Sequence, residues 1–218
     1  MSNKENNSNI DKIIEILKNE YPNAKCSLIY KYPYQLLIAG RLSSQCTDKR
    51  VNIVTKTLFN KYQTIDSFAN ANIYDIQNII KPCGLFNVKA NNIIEMCKII
   101  ITNFKGEIPN TIDELVTLPG IGRKTANLIM GEIFKKPAII CDTHCIRITN
   151  LLGLSTSKNP AKVENDLKQI LPPKDSCLFC HLMVYHGREI CKARVPLCNK
   201  CVISKFCNFN NSKKSKIN

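Results

Sequence analysis

A chain of 218 residues with 44% apolar residues can bury a real core, as one large domain or two small ones, and this excludes a disordered chain. Lys and Arg outnumber Asp and Glu 31 to 17, a formal net charge of +14, and no acidic residue follows Glu189. The balance points to a polyanionic partner, with nucleic acid ahead of anionic lipid because no long uncharged span or basic amphipathic anchor is present; an inert basic surface is the bland alternative.

The polar start, Met1 to Asn9, lacks the features of a signal peptide, so the twelve cysteines are expected in a reducing cytoplasm as buried thiols or metal ligands. Helical spacing then recurs along the chain. Ile10, Ile13, Ile14 and Leu17 share one face behind the candidate caps Ser8 and Asn9. Val51, Val54 and Leu58 repeat the pattern, then Ile73, Ile76 and Ile80, then the long stripe Ile93, Cys97, Ile100 and Phe104. Sustained alternation of the strand type is absent, and the reading is an all-α protein of about ten short helices.

Leu118-Pro119-Gly120-Ile121-Gly122 joins two apolar helix faces. Pro119 and the two glycines allow a turn too tight for residues with a Cβ, and Ile121 can plug between the helices. The second helix, with Ala126, Ile129, Met130 and Ile133 inward, opens with free N–H groups and a positive dipole end that suit a phosphate. This is a helix-hairpin-helix motif, strong for non-specific duplex binding and weak for chemistry. Arg123 and Lys124 are by default phosphate contacts. A catalytic Lys124 must shed its proton, which a partly desolvated, cationic site favours; a helix start beside Arg123 is a place of that kind.

Farther on, Cys141-Asp142-Thr143-His144 precedes the stripe Cys145, Ile148 and Leu152. Asp142 reads as a helix N-cap, and equally as a carboxylate able to take a proton and to stabilise a developing sugar cation. Cys141, His144 and Cys145, and likewise Cys177, Cys180 and His181, lie on helical patterns and complete no four-ligand set, so they read as packing residues. Cys191, Cys198, Cys201 and Cys207 differ. Their C-x6-C-x2-C-x5-C spacing falls in a basic loop with little apolar pattern, which suits a metal centre, either tetrahedral zinc or a [4Fe-4S] cluster.

Taken together, Leu118 to Asn127, Cys141 to His144, His186-Gly-Arg and the cysteine loop resemble endonuclease III, a bifunctional DNA glycosylase family of the helix-hairpin-helix superfamily. Leu42-Ser-Ser-Gln45-Cys-Thr-Asp48 and Gly84-Leu85-Phe-Asn-Val-Lys-Ala look like two further family segments, and the similarity runs from about residue 10 to 207. The resemblance implies two helical domains with a DNA cleft between them. One is a six-helix domain over 26–136, with the hairpin element at about 112–134. The other joins 1–25 to 137–218 and holds a [4Fe-4S] cluster on the loop 191–207, while the tails 1–8 and 208–218 are expected to be mobile.

The implied activity is base-excision repair of duplex DNA carrying oxidised or ring-damaged pyrimidines or abasic sites. Lys124 would attack the sugar C1′, Asp142 would assist, and β-elimination would cut the strand. Leu85 would be an apolar wedge and Gln45 a polar filler beside a flipped nucleotide. Gly120, Gly122, Arg123, Thr125, His144, Lys192 and Arg194 would complete the DNA contacts. The protein would act as a monomer, in the nucleoid if the cell is prokaryotic. Serine stands at Ser44 where the family often has alanine, which leaves lesion preference open. The competing reading is a non-catalytic DNA-binding module in which Lys124 grips phosphate and the four cysteines hold zinc.

Overall fold

A computed structural model describes residues 3–214, and every regular element among them is helical. The chain forms two units, one of Cys26–Lys135 and the other joining the described residues up to Lys25 to those from Lys136 onward.

The 26–135 unit holds α2 (Pro33–Leu42), α3 (Asp48–Lys61), α4 (Ile65–Ala69), α5 (Ile73–Ile80), α6 (Phe86–Phe104), α7 (Ile112–Leu115) and α8 (Arg123–Glu132). Pro33 at the first turn of α2 gives up an N–H that no helix start could bond, and fixes a φ suited to helix. Leu36, Leu37, Ile38, Ala39 and Leu42 are all fully buried, so α2 is enclosed on every side, with α3, α6 and α8 packed against it. The Ile93, Cys97 and Ile100 face of α6 is buried in a unit where α6 packs against α4 and α5. Phe68 of α4 is wholly enclosed, with the rings of Tyr34, Phe59 and Tyr62 around it. Polar caps start the short helices: Thr64 and Ser67 bond each other's main-chain N–H at α4, and Thr111 Oγ1 accepts from the Glu114 N–H at α7.

The other unit holds α1 (Asn3–Glu20), α9 (Thr143–Leu152), α10 (Pro160–Ile170), α11 (Ser176–Glu189) and α12 (Asn208–Lys214). Ile10, Ile13, Ile14 and Leu17 line the buried face of α1, which packs on α10 and α11. The same unit includes the buried, non-helical segment Ala138–Cys141, whose main-chain N–H groups need partners that no sheet supplies. Side chains of α11 provide them: Ala138 N–H donates to Ser176 Oγ (3.1 Å) and Ile140 N–H to Cys180 Sγ (3.1 Å). That anchoring brings the chain to Asp142 at the start of α9.

Twelve α-helices occur among the described residues, against the ten that periodicity suggests. The five-residue α4 and four-residue α7 are too short to show a period. The first helix begins at Asn3, so Ser8 and Asn9 lie inside it and do not cap it. Its leading turn is polar and carries no periodic signal. Of the tails expected to be mobile, residues 1–2 and 215–218 lie outside the described residues, and Asn3 to Ser8 and Asn208 to Lys214 are helical. Among the described residues no helix is long and apolar enough to cross a membrane.

Candidate functional site

The hairpin is built as its sequence suggests. Leu118 and Ile121 are buried, and the turn closes through Ile121 N–H to the Leu118 carbonyl at 3.0 Å. Gly120 has φ +76°, and a Cβ there would overlap the Arg41 side chain and come within 2.6 Å of Asn92 Oδ1. Arg41 Nε donates to that same Asn92 oxygen at 2.9 Å, and burial pulls the Arg41 guanidinium below its ordinary range. The turn is therefore backed by a buried arginine that motif reading missed. Its signal was a lone charge inside the apolar run Leu36–Leu42.

Gly122 is the N-cap of α8 with extended backbone (φ −97°, ψ 173°), and a Cβ there would meet nothing within 4 Å. Neither its conformation nor its neighbours in the protein require glycine. Arg123 and Lys124, the first two residues of α8, are exposed, and Thr125 is half-buried against α2, where a Cβ on Gly40 would stand 2.7 Å from Thr125 Cγ2. Lys124 is thus presented at a helix start beside a basic neighbour, but it is exposed, so the desolvated surroundings expected of it are not a property of this unit.

Gln45 and Leu85 share an unusual backbone state. Both are exposed, Leu85 at 55%, and both have left-handed φ values of 55° and 49°. For side-chain-bearing residues that region is sparsely populated, and strained residues of this kind cluster at sites of function. Gly84, immediately before Leu85, is also left-handed at φ 69°.

Asp142 caps α9: its Oδ1 accepts the Cys145 N–H at 2.7 Å. The capping role is thus real, and the second carboxylate oxygen is the one left to other chemistry. Lys124 belongs to the 26–135 unit and Asp142 to the other. His144 is half-buried beside Gly187 of α11, where a Cβ would overlap the imidazole Nδ1. Cys141, Cys145 and Cys180 are buried, and the thiol of Cys145 is held well above its usual range by hydrogen bonds with the other two and by burial. They are core thiols, as their helical spacing suggests.

Cys191, Cys198, Cys201 and Cys207 line one surface concavity, together with Leu151, Ile190 and Phe209. Burial pushes the Cys201 thiol up to about 11, and the neighbouring cysteines add to it; Cys191 is raised by burial and by Cys207 and Cys198. Four half-buried sulfurs gathered in one place are the donor set of a metal site, where a positive centre stabilises the thiolates. His186, 1% exposed, stands behind them, with Nε2 3.4 Å from Cys201 Sγ and Nδ1 3.2 Å from the Tyr21 hydroxyl. Burial pulls His186 down to about 4, so it stands there as a neutral ring. Arg147 donates to the Cys191 carbonyl, while Lys192 and Arg194 are exposed on the same loop.

Comparison with known proteins agrees with this geometry. Residues 38–173 match the model of the HhH-GPD superfamily base excision DNA repair proteins, a span that includes the hairpin and Asp142. The endonuclease III of Rickettsia felis is 42% identical over 203 residues, 93% of this chain and 95% of that protein. Among solved structures, a non-covalent endonuclease III–DNA complex superposes with a TM-score of 0.89 at 35% identity, covering 99% of each chain. A trapped endonuclease III–DNA covalent intermediate gives the same TM-score and identity over 98% of this chain and 99% of its own. The chain belongs to the HhH-GPD superfamily of base excision DNA repair proteins and, within it, to the endonuclease III family.

Proposed function

We propose that this protein is a DNA glycosylase and abasic-site lyase that removes oxidised or ring-damaged pyrimidines from duplex DNA. The observation that carries the reading is Lys124, exposed as the second residue of α8, two positions after a glycine whose Cβ side is open. The open side of Gly122 lets a phosphate approach the N–H groups that begin the helix, and this docking would bring a nucleotide to the lysine.

In its neutral form the Lys124 amine attacks the sugar C1′, and the base departs with the electron pair of the broken N-glycosidic bond and is protonated. The sugar ring opens to an imine between Nζ and C1′. Loss of a C2′ proton then expels the 3′ phosphate by β-elimination, and water hydrolyses the imine to release the enzyme. The carboxylate of Asp142 is suited to receive a proton and to stabilise positive charge on the sugar, and its capping bond holds it in place. Leu85 and Gln45 fill the space of the extruded nucleotide, and Gly120, Arg123, Thr125, His144, Lys192 and Arg194 serve binding.

Cys191, Cys198, Cys201 and Cys207 fit a [4Fe-4S] cluster, which would supply cross-linking to a loop with little core of its own. With all four protein ligands in use, the centre leaves no open position for hydrolysis, and the chemistry rests on Lys124 and Asp142. The trapped covalent intermediate of a 35% identical neighbour supports catalysis over a passive binding module.

The test is incubation of the iron-loaded protein with duplexes carrying one oxidised pyrimidine or one abasic site. Free base release and a nick 3′ to the lesion are expected. Binding to both duplexes without either product would overturn the proposal.

A further inference from the structure

Lys89 is the most deeply buried charge in the 26–135 unit, with 0% of its surface exposed, one turn into α6. Its ammonium donates to three main-chain carbonyls, those of Leu42 (2.9 Å), Ser44 (2.8 Å) and Cys83 (2.8 Å). Its own N–H donates to the Leu85 carbonyl at 3.0 Å. The two segments it joins are some forty residues apart in sequence, and each carries one of the exposed left-handed residues. Gln45 follows Ser44 directly, and Leu85 lies two residues beyond Cys83.

The chemistry of this contact is unusual. Cys46 and Cys83 are the neighbouring thiols, and Cys83 is pushed up to about 12 by burial and by Cys46, so it stays neutral. Burial pulls Lys89 below its ordinary range, with the nearby Arg41 adding to the effect. Carbonyl dipoles of the two segments therefore solvate the charge. An ammonium has three donors and these three carbonyls use all of them, so moving either segment strips a bond from a buried cation.

Given the roles assigned above to Gln45 and Leu85, we propose that Lys89 is a positioning residue that locks their two segments into one rigid pair, presented to the nucleotide gap before DNA arrives. Preorganisation of this kind removes the ordering penalty that two independent loops would meet on insertion. It also explains how two side-chain-bearing residues are kept in left-handed conformations at an exposed surface, since the segments on which they sit are tied from inside.

The test is a coupling cycle between Lys89→Met and Leu85→Ala. Binding is measured on a duplex with a stable abasic-site analogue and on its undamaged counterpart, using protein checked for iron content. Leu85→Ala and Lys89→Met are each expected to weaken abasic-duplex binding about tenfold, with undamaged-duplex binding held within about twofold. The double variant should be no more than about twofold weaker than the worse single one, because both changes disable the same insertion. Additive losses, or equal losses on both duplexes, would reduce Lys89 to a folding residue and overturn the proposal while leaving the Leu85 reading intact. No effect of Leu85→Ala would instead overturn that reading, and the proposal with it. Should Lys89→Met fail to fold, hydrogen exchange on the unaltered protein decides: the amides of Cys46 and Gly84 should exchange through one shared opening, and separate openings would contradict the lock.

Discussion

Asp142 combines a structural and a proposed chemical task in one carboxylate, and two substitutions separate them. Asp142→Asn keeps an oxygen for the Cys145 N–H, so its melting temperature should stay close to the parent's while turnover falls by about a hundredfold, the scale of general acid–base assistance. Asp142→Ala should lose the same activity and also about 1 kcal/mol of stability, measured by denaturant unfolding. Loss of stability in both variants with turnover unchanged would leave only the cap. The cap was legible in the run Cys-Asp-Thr-His, and the proposed chemical role falls on the same residue because a capping residue and a catalytic carboxylate are the same residue type before a helix. Arg41, Lys89 and the packing of His144 on Gly187 were not, since each depends on main-chain atoms or glycines brought close only by folding.

The helix-hairpin-helix element shows why sequence spacing was informative for some parts and silent for others. Pro119, Gly120 and Ile121 announce a tight turn with an apolar plug, and both features are present. The two glycines, alike in sequence, differ in reason. Gly120→Ala meets Arg41 and Asn92 at a left-handed φ and should lower stability by about 1–3 kcal/mol, on the scale of overpacking. Gly122→Ala meets nothing and should leave the melting temperature unchanged while weakening duplex binding, measured by fluorescence anisotropy. Equal melting losses in both would contradict the assignment of Gly122 to a phosphate. The cysteine loop is a further element whose spacing spoke plainly. Cys198→Ala should abolish iron content and the visible absorbance of the purified protein, and DNA affinity should fall with them; iron retained at the parent level would remove Cys198 from the ligand set.

At the scale of the whole molecule, the charge of +14 and the acid-free stretch after Glu189 belong with a partner made of phosphates. The logarithm of the duplex affinity should fall linearly with the logarithm of salt concentration, and Lys192→Ala or Arg194→Ala should each lower the slope by about 1 if it loses one phosphate contact. An unchanged slope would take that residue out of the interface. The helical class was legible throughout because stripes at the 3.6-residue period recur from Ile10 to Leu152, whereas α4 and α7 are shorter than the signal that reveals a helix. The division into units could not be read from periodicity, since α1 packs with α10 and α11, more than a hundred residues away in sequence.

The central claim is that Lys124 forms a covalent imine with the sugar, and borohydride reduction during reaction tests it most directly. Duplexes with an oxidised pyrimidine or an abasic site are incubated with the iron-loaded protein and with Lys124→Ala in the presence of the reductant. A protein–DNA adduct formed by the parent chain and absent from the variant is the predicted result. An adduct of equal yield from the variant, or none from either protein while duplex binding persists, would contradict it.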